Sequence, residues 1–349
     1  MVYKLSAPLL YSFEAIDKYA EYNKKYEKAQ IKLLFNAIPW PQSENFNEWF
    51  TLNRNNVQNP DISTYEDFDR YVQYAFSKGF DFVYLMNSPK AFNFKDFDPI
   101  ADEFYALLDN LWKSGIRKIK FSNTQVAHLV SLYNPKFELS VGTLIEYSSI
   151  SQFRALLSLF PAINHICLPK DLNQNFHMLQ ALKENFPNIE FELMVGEGCN
   201  KWCPTRLACQ SSSSTEFFNL GCNLCIKEKT AYNKIRNGAI HPWQLDAYSK
   251  RGFNHFKLLT YGPRAIDTNT ENIELYLDCI EHGTNGEHGR KYLSIYCGNL
   301  AYELSPEECI KLLPDINYFI ENGYKCAFDC GTKCTYCNKL ERGIYDGFN

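Results

Sequence analysis

The sequence has no apolar run approaching the ~18 residues that suggest a transmembrane helix, although 45% of its residues are hydrophobic. Its first residues, MVYKLSAPLLYSF, lack the basic start and long apolar stretch of a secretory leader. Positive charge is not in surplus: 36 Lys and Arg face 40 Asp and Glu, for a net charge of −4. That balance argues against a dominant nucleic-acid surface, while a local basic patch stays compatible with it. No Gly-rich dinucleotide or phosphate fingerprint follows the first apolar strand, and there is no HExxH motif or persuasive nucleophile–His pair. Internal repeats are missing, and low complexity is confined to Ser211 to Ser214. These absences point to a cytoplasmic protein with no membrane partner and weaken a peptidase reading. His165, His241 and His255 read as structural or surface residues.

What the sequence does hold is enough apolar material for a full core in one large α/β domain or two smaller ones. Short apolar runs alternate with amphipathic stretches. The segments starting at Ile31, Phe80, Ile116, Phe137, Ile163, Ile189 and Phe253 read as strands. Between them, ISTYEDFDRYVQYAFSKG and DPIADEFYALLDNLWKSG place apolar residues at three- and four-residue spacings and end at Gly, as helices often do. Seven β-then-α units predict a parallel sheet. Unit spans of ~25–40 residues favour a (β/α)8 TIM-barrel-like fold over an open doubly wound sheet. With no eighth strand placed, the barrel reads as incomplete or irregular. The rhythm stops near Glu287. A barrel domain over 1–286 and a cysteine-rich C-terminal extension over 287–349 are expected.

Nine of the 13 cysteines fall in two clusters. The first is Cys199, Cys203, Cys209, Cys222 and Cys225; the second is Cys326, Cys330, Cys334 and Cys337. In a reducing compartment such clusters are metal ligands more often than disulfides. Zinc and iron–sulfur clusters are the usual occupants. Cys167, Cys279, Cys297 and Cys309 are scattered among apolar residues and look like core packing. The first cluster follows directly on the strand IEFELMV through Gly196, Glu197 and Gly198. In a barrel, the C-terminal strand ends carry the active site. A cluster needs four ligands and the segment offers five, with Cys199 and Cys203 the safest members.

Arg206, Lys257 and Arg264 are expected near the same mouth, where they would hold a substrate carboxylate or phosphate or else remain solvated cations. Glu197 reads as an acid or base, or as a turn residue.

The string MVGEGCNKWCPTR, with HPWQLDAYSKRGFNHFKLLTYGPR after it, resembles the collagenase-like "peptidase" superfamily, family U-32. The matching residues are the Glu-Gly-Cys loop and Pro242, Leu245, Tyr248, Gly252, Phe253, Phe256, Lys257 and Arg264. The resemblance covers roughly residues 160 to 285. It implies a TIM-barrel-like fold holding a 4Fe–4S cluster at the strand ends. It also implies oxygen-independent hydroxylase-like chemistry on a small-molecule or RNA-borne substrate, with prephenate as the oxygen source in relatives of that kind. Two departures stand out: Cys209 occupies a position expected to be His, and LLTYGPR follows where Ile-Glu-Gly-Arg is usual.

The second cluster contains Cys330-x3-Cys334-x2-Cys337, the spacing of radical S-adenosylmethionine enzymes. In those enzymes the barrel follows the motif, whereas this chain ends soon after it, and Cys326 supplies a fourth ligand. A four-cysteine structural or electron-transfer centre, zinc or 4Fe–4S, is therefore favoured, with an electron-donor protein as a partner if it is redox-active. A radical enzyme and a non-catalytic metal-stabilised binding module are the alternatives.

Overall fold

The computed structural model describes residues 2–38, 50, 62–195, 203, 206–207, 238–258, 266–284, 287–297, 316–328 and 336. Eight parallel strands close into a barrel in chain order, the last pairing with the first. They are β1 (Tyr3–Pro8), β2 (Ala29–Asn36), β3 (Asp81–Met86), β4 (Lys118–Phe121), β5 (Glu138–Val141), β6 (Ile163–Cys167), β7 (Glu190–Val195) and β8 (His255–Leu258). The strand that sequence patterning does not place is β1. YKLSAP is short, mixed in polarity and ends in Pro, so it carries no apolar run that marks a core strand. The barrel is therefore complete, and its irregularity is limited to register shifts at Leu5/Ser6 and Leu139/Ser140.

Helices follow the strands. Leaving aside short helical turns, they are α1 (Phe13–Lys25), α2 (Tyr65–Ser77), α3 (Ala101–Lys113), α4 (Thr124–Tyr133), α5 (Ile150–Leu159), α6 (Phe176–Asn185), α7 (Leu245–Ser249) and α8 (Ile266–His282). Their starts are written locally. Thr64 and Asp67 close a capping box on α2, and Ser149 and Gln152 do so on α5. Gly79 and Gly115 sit just beyond α2 and α3 with φ of +83° and +82°, a left-handed conformation that favours glycine.

The helices bury one face of each strand. Ile119, Phe121, Ile166, Phe191, Leu193, Phe256 and Leu258 are all buried. Each alternates along its strand with a residue of the opposite face, as a period of two requires. Past residue 286 the described residues form α9 (Glu287–Cys297) and α10 (Ile316–Phe328). α9 packs on α8, and α10 packs on α6 at the outside of the barrel. Among the described residues, no helix is long and apolar enough to cross a membrane.

Candidate functional site

The alternation that keeps the outer strand faces apolar turns a polar set inward. Pairing places Lys120 beside Ser140, Ser140 beside His165, and Glu192 beside His255. One strand further, His255 lies beside Lys4 and Lys257 beside Ser6. Ser6, Lys120, Ser140, His165, Glu192 and His255 are all buried. Barrel interiors are usually filled by bulky branched apolar residues, so this charged layer is the most unusual part of the core.

Glu192 is its hub. Lys120 Nζ donates to Glu192 Oε2 at 2.6 Å, and Ser6 Oγ donates to Oε1 at 2.5 Å. His255 Nε2 lies 2.7 Å from Ser6 Oγ and 3.4 Å from Glu192 Oε1. His165 Nε2 lies 3.8 Å from Glu192 Oε2, and its Nδ1 meets Ser140 Oγ at 2.5 Å. The two imidazole centroids are 5.1 Å apart. Below them, His255 Nδ1 approaches Glu190 Oε1 at 3.2 Å, and Lys4 Nζ grips both Glu190 oxygens at 2.8 and 3.0 Å.

Burial by itself raises a carboxyl pKa, but Lys120, His255, His165 and Lys257 outweigh it and hold Glu192 well below the ordinary value. Burial works to lower the Lys120 pKa, yet Glu192 and Cys167 carry it above the usual lysine value. Lys120 and Glu192 thus stay charged as a pair. Burial, then Lys120, push His165 well below its ordinary value, so its ring is neutral. Cys167, one turn of the pleat above His165, has its thiol pushed up by burial and then by Glu192. It is a buried thiol, as is Cys279, pushed up to about 12 by burial and Asp278. Cys297 and Cys309 are not among the residues whose side chains are described.

At the mouth end of the interior, Lys257 is buried with its ammonium 4.1 Å from the Phe35 ring centroid, and it acts electrostatically on Glu192 and Cys167. Arg206 is also buried, and not a solvated cation. Its guanidinium clasps Asp171 through two bonds of 2.7 and 2.9 Å, with Glu146 at 4.0 Å. Asp171 follows β6 and Glu146 follows β5, so Arg206 ties the segment after β7 to the neighbouring loops. The Arg206 amide donates to the Cys203 carbonyl at 3.2 Å, and Cys203 is half-buried there. β7 itself ends at Val195, the residue before Gly196.

Glu197, Cys199, Cys209, Cys222, Cys225 and Arg264 lie outside the described residues, as do Cys330, Cys334 and Cys337. Cys326 falls within α10. Tyr336, between the last two cysteines, stacks on Tyr318 of α10 at 3.8 Å and 9° and meets Phe319 edge-on at 5.7 Å. Of the three histidines read as structural or surface residues, none is at the surface. His165 and His255 belong to the inner layer, and His241 is buried against Trp243 and Tyr292. Burial holds His241 at about 3. The charged layer did have a sequence signal. Lys118 and Lys120, Glu190 and Glu192, and His255 and Lys257 are polar pairs two residues apart inside otherwise apolar strands.

Fold and site together define a closed (β/α)8 barrel with a charged interior and a thiol-bearing segment at its mouth. No protein-family model matches the sequence, and no curated protein matches it. Among solved structures, the chain is similar to the U32 peptidase Mk0906, with 10% identity and a TM-score of 0.44, over 75% of this chain and 94% of that one. It is also similar to CpGH84B, with 12% identity and a TM-score of 0.39, over 99% of this chain and 74% of that one.

Proposed function

We propose that the protein is an iron–sulfur (β/α)8-barrel enzyme that performs redox or oxygen-transfer chemistry of the hydroxylase type on a small or RNA-borne substrate. The observation that carries this reading is the position of Cys203. The Arg206–Asp171 clasp fastens its segment beside the loops that follow β5 and β6, at the barrel end where catalysis concentrates. The donor set fits such a group: thiolates from Cys199, Cys203 and two of Cys209, Cys222 and Cys225 are soft ligands suited to iron–sulfur ligation. When bound, the cluster supplies one-electron redox chemistry.

The chain's own residues have separate tasks. Lys257 presents a positive charge at the top of the interior and draws in a carboxylate or phosphate. Arg264 and Glu197, which lie outside the described residues, are assigned as an anion holder and as an acid or base. Arg206 acts as a positioning residue, since its guanidinium is taken up by Asp171. The C-terminal quartet, zinc or 4Fe–4S, is a structural or electron-transfer centre. Tyr336, packed against α10 on the barrel's outer flank, supports that role over a catalytic one.

Anaerobic purification followed by iron, sulfide and zinc analysis tests the reading. Iron and sulfide are expected, with an electron paramagnetic resonance signal on reduction from which Cys199→Ser and Cys203→Ser remove the component of the mouth cluster. A colourless protein with about two zinc ions and no sulfide overturns it.

A further inference from the structure

We propose that His165, Glu192 and His255 form a second metal site, inside the barrel, for a divalent first-row ion of the zinc or iron(II) class. It does not depend on the cysteine segments or on the iron–sulfur reading. Two histidines and one carboxylate are a donor set such ions favour. The three side chains come from β6, β7 and β8, and their ligand atoms lie within 4.8 Å of one another. Tetrahedral bonds of 2.0–2.1 Å place donors roughly 3.3 Å apart. His255 Nε2 lies 3.4 Å from Glu192 Oε1 and His165 Nε2 3.8 Å from Oε2, so the three side chains would draw in from a set spanning up to 4.8 Å to hold an ion.

The outer contacts match what such ligands need. A metal-binding histidine commonly gives its far ring nitrogen to an oxygen, which fixes the ring and aims the other nitrogen inward. His165 Nδ1 meets Ser140 Oγ at 2.5 Å, and His255 Nδ1 stands 3.2 Å from Glu190 Oε1, within reach of a carboxylate but outside hydrogen-bond geometry. Glu190 is in turn held by Lys4, and Glu192 by Lys120. His165 Nε2 is buried with no hydrogen-bond partner, and its side chain is only 9% exposed. Packing alone gives a buried ring nitrogen a partner in the large majority of cases. Ser6, bonded to both Glu192 and His255, is the group that turns aside when an ion enters.

Lys120 opposes the ion, because its ammonium sits on the same carboxylate. Removing that charge therefore tightens metal binding, an effect that a purely structural layer does not produce. The experiment is equilibrium dialysis of the full-length protein against cobalt(II), read by metal content and visible absorption. Nitrogen- and oxygen-bound cobalt shows weak d–d bands, whereas thiolate sites add sulfur-to-metal charge transfer, so the cysteine sites are read separately. His255→Gln is expected to lose about one equivalent with its d–d bands and to keep the charge-transfer bands. Lys120→Met is expected to tighten that equivalent about tenfold. Ser140→Ala, which removes only an outer contact, is expected to weaken it about 10–100-fold and decides the matter if His255→Gln does not fold. Unchanged cobalt binding in folded His255→Gln, or in Lys120→Met and Ser140→Ala, overturns the site.

Discussion

Strands β2 and β3 line their side of the interior with Leu33, Phe35, Val83 and Leu85, while β4 to β8 and β1 contribute Lys120, Ser140, His165, Glu192, His255 and Ser6. The register makes the division explicit: Leu85 lies beside Lys120, and Ser6 beside Leu33. Both halves are buried, but they are held differently. The apolar half gains from burial directly, at about 25 cal/mol per Å². The charged half first pays several kcal/mol per ion in desolvation and recovers it only through its pairings. Well-packed apolar residues would serve stability as well or better there. The difference teaches that β4 to β8 carry a layer whose retention stability does not explain, directly beneath the mouth where the thiol-bearing segment is fastened.

The largest effect is expected from breaking the charged half one side at a time. Lys120→Ala or Glu192→Ala leaves a buried charge unpaired and should cost about 3–5 kcal/mol in urea unfolding. Leu85→Ala, on the apolar half, should cost about 2–5 kcal/mol through lost transfer energy and a cavity. That loss should be the same at pH 7 and pH 5, because nothing titrates at Leu85.

The Arg206 clasp comes next. Asp171→Asn removes the charged partner of Arg206 and should cost about 1.5–3 kcal/mol. If the clasp positions the cluster segment, iron content in anaerobically purified protein should fall with it.

pH separates the halves further. His165 and His241 have folded pKa values held below the ordinary value of about 6.5. Each contributes stability that is present above that pH and is lost as pH falls, because only the unfolded chain takes up the proton. Glu192, held below its ordinary value, adds a second loss below about pH 4.3. Urea midpoints should therefore drop between pH 7 and 5, and His165→Gln should flatten that drop. The smallest effect belongs to the end of the barrel opposite the mouth. Lys4 and Glu190 are 35% and 44% exposed, so Lys4→Ala should cost less than about 1 kcal/mol, with the difference shrinking in high salt.

Most of the barrel was legible in the sequence, because seven strands carry apolar runs of the right length and their helices announce caps and Gly stops. β1 was not, because a six-residue strand with Lys4, Ser6 and Pro8 inside it lacks an apolar run. The same inward-facing polarity concealed the charged layer. His165 and His255 read as ordinary structural or surface histidines until the closed barrel showed which face each strand turns inward. Lys257 was legible from its place on an apolar strand. The partner of Arg206 was not, since Asp171 lies 35 positions away in sequence and meets it only through the fold.

A double-mutant cycle across the inner pair tests most directly whether the charged layer is kept for something other than stability. Lys120→Met, Glu192→Leu and the double variant would be compared with the parent by urea unfolding, and each assayed for cobalt binding. Each single variant is expected to be destabilised by about 3–5 kcal/mol. The double variant should regain the parent's stability or exceed it by about 1–4 kcal/mol while losing the cobalt equivalent without charge-transfer bands. A double variant that stays several kcal/mol less stable than the parent would show that the pair itself holds the barrel together, and would contradict that reading.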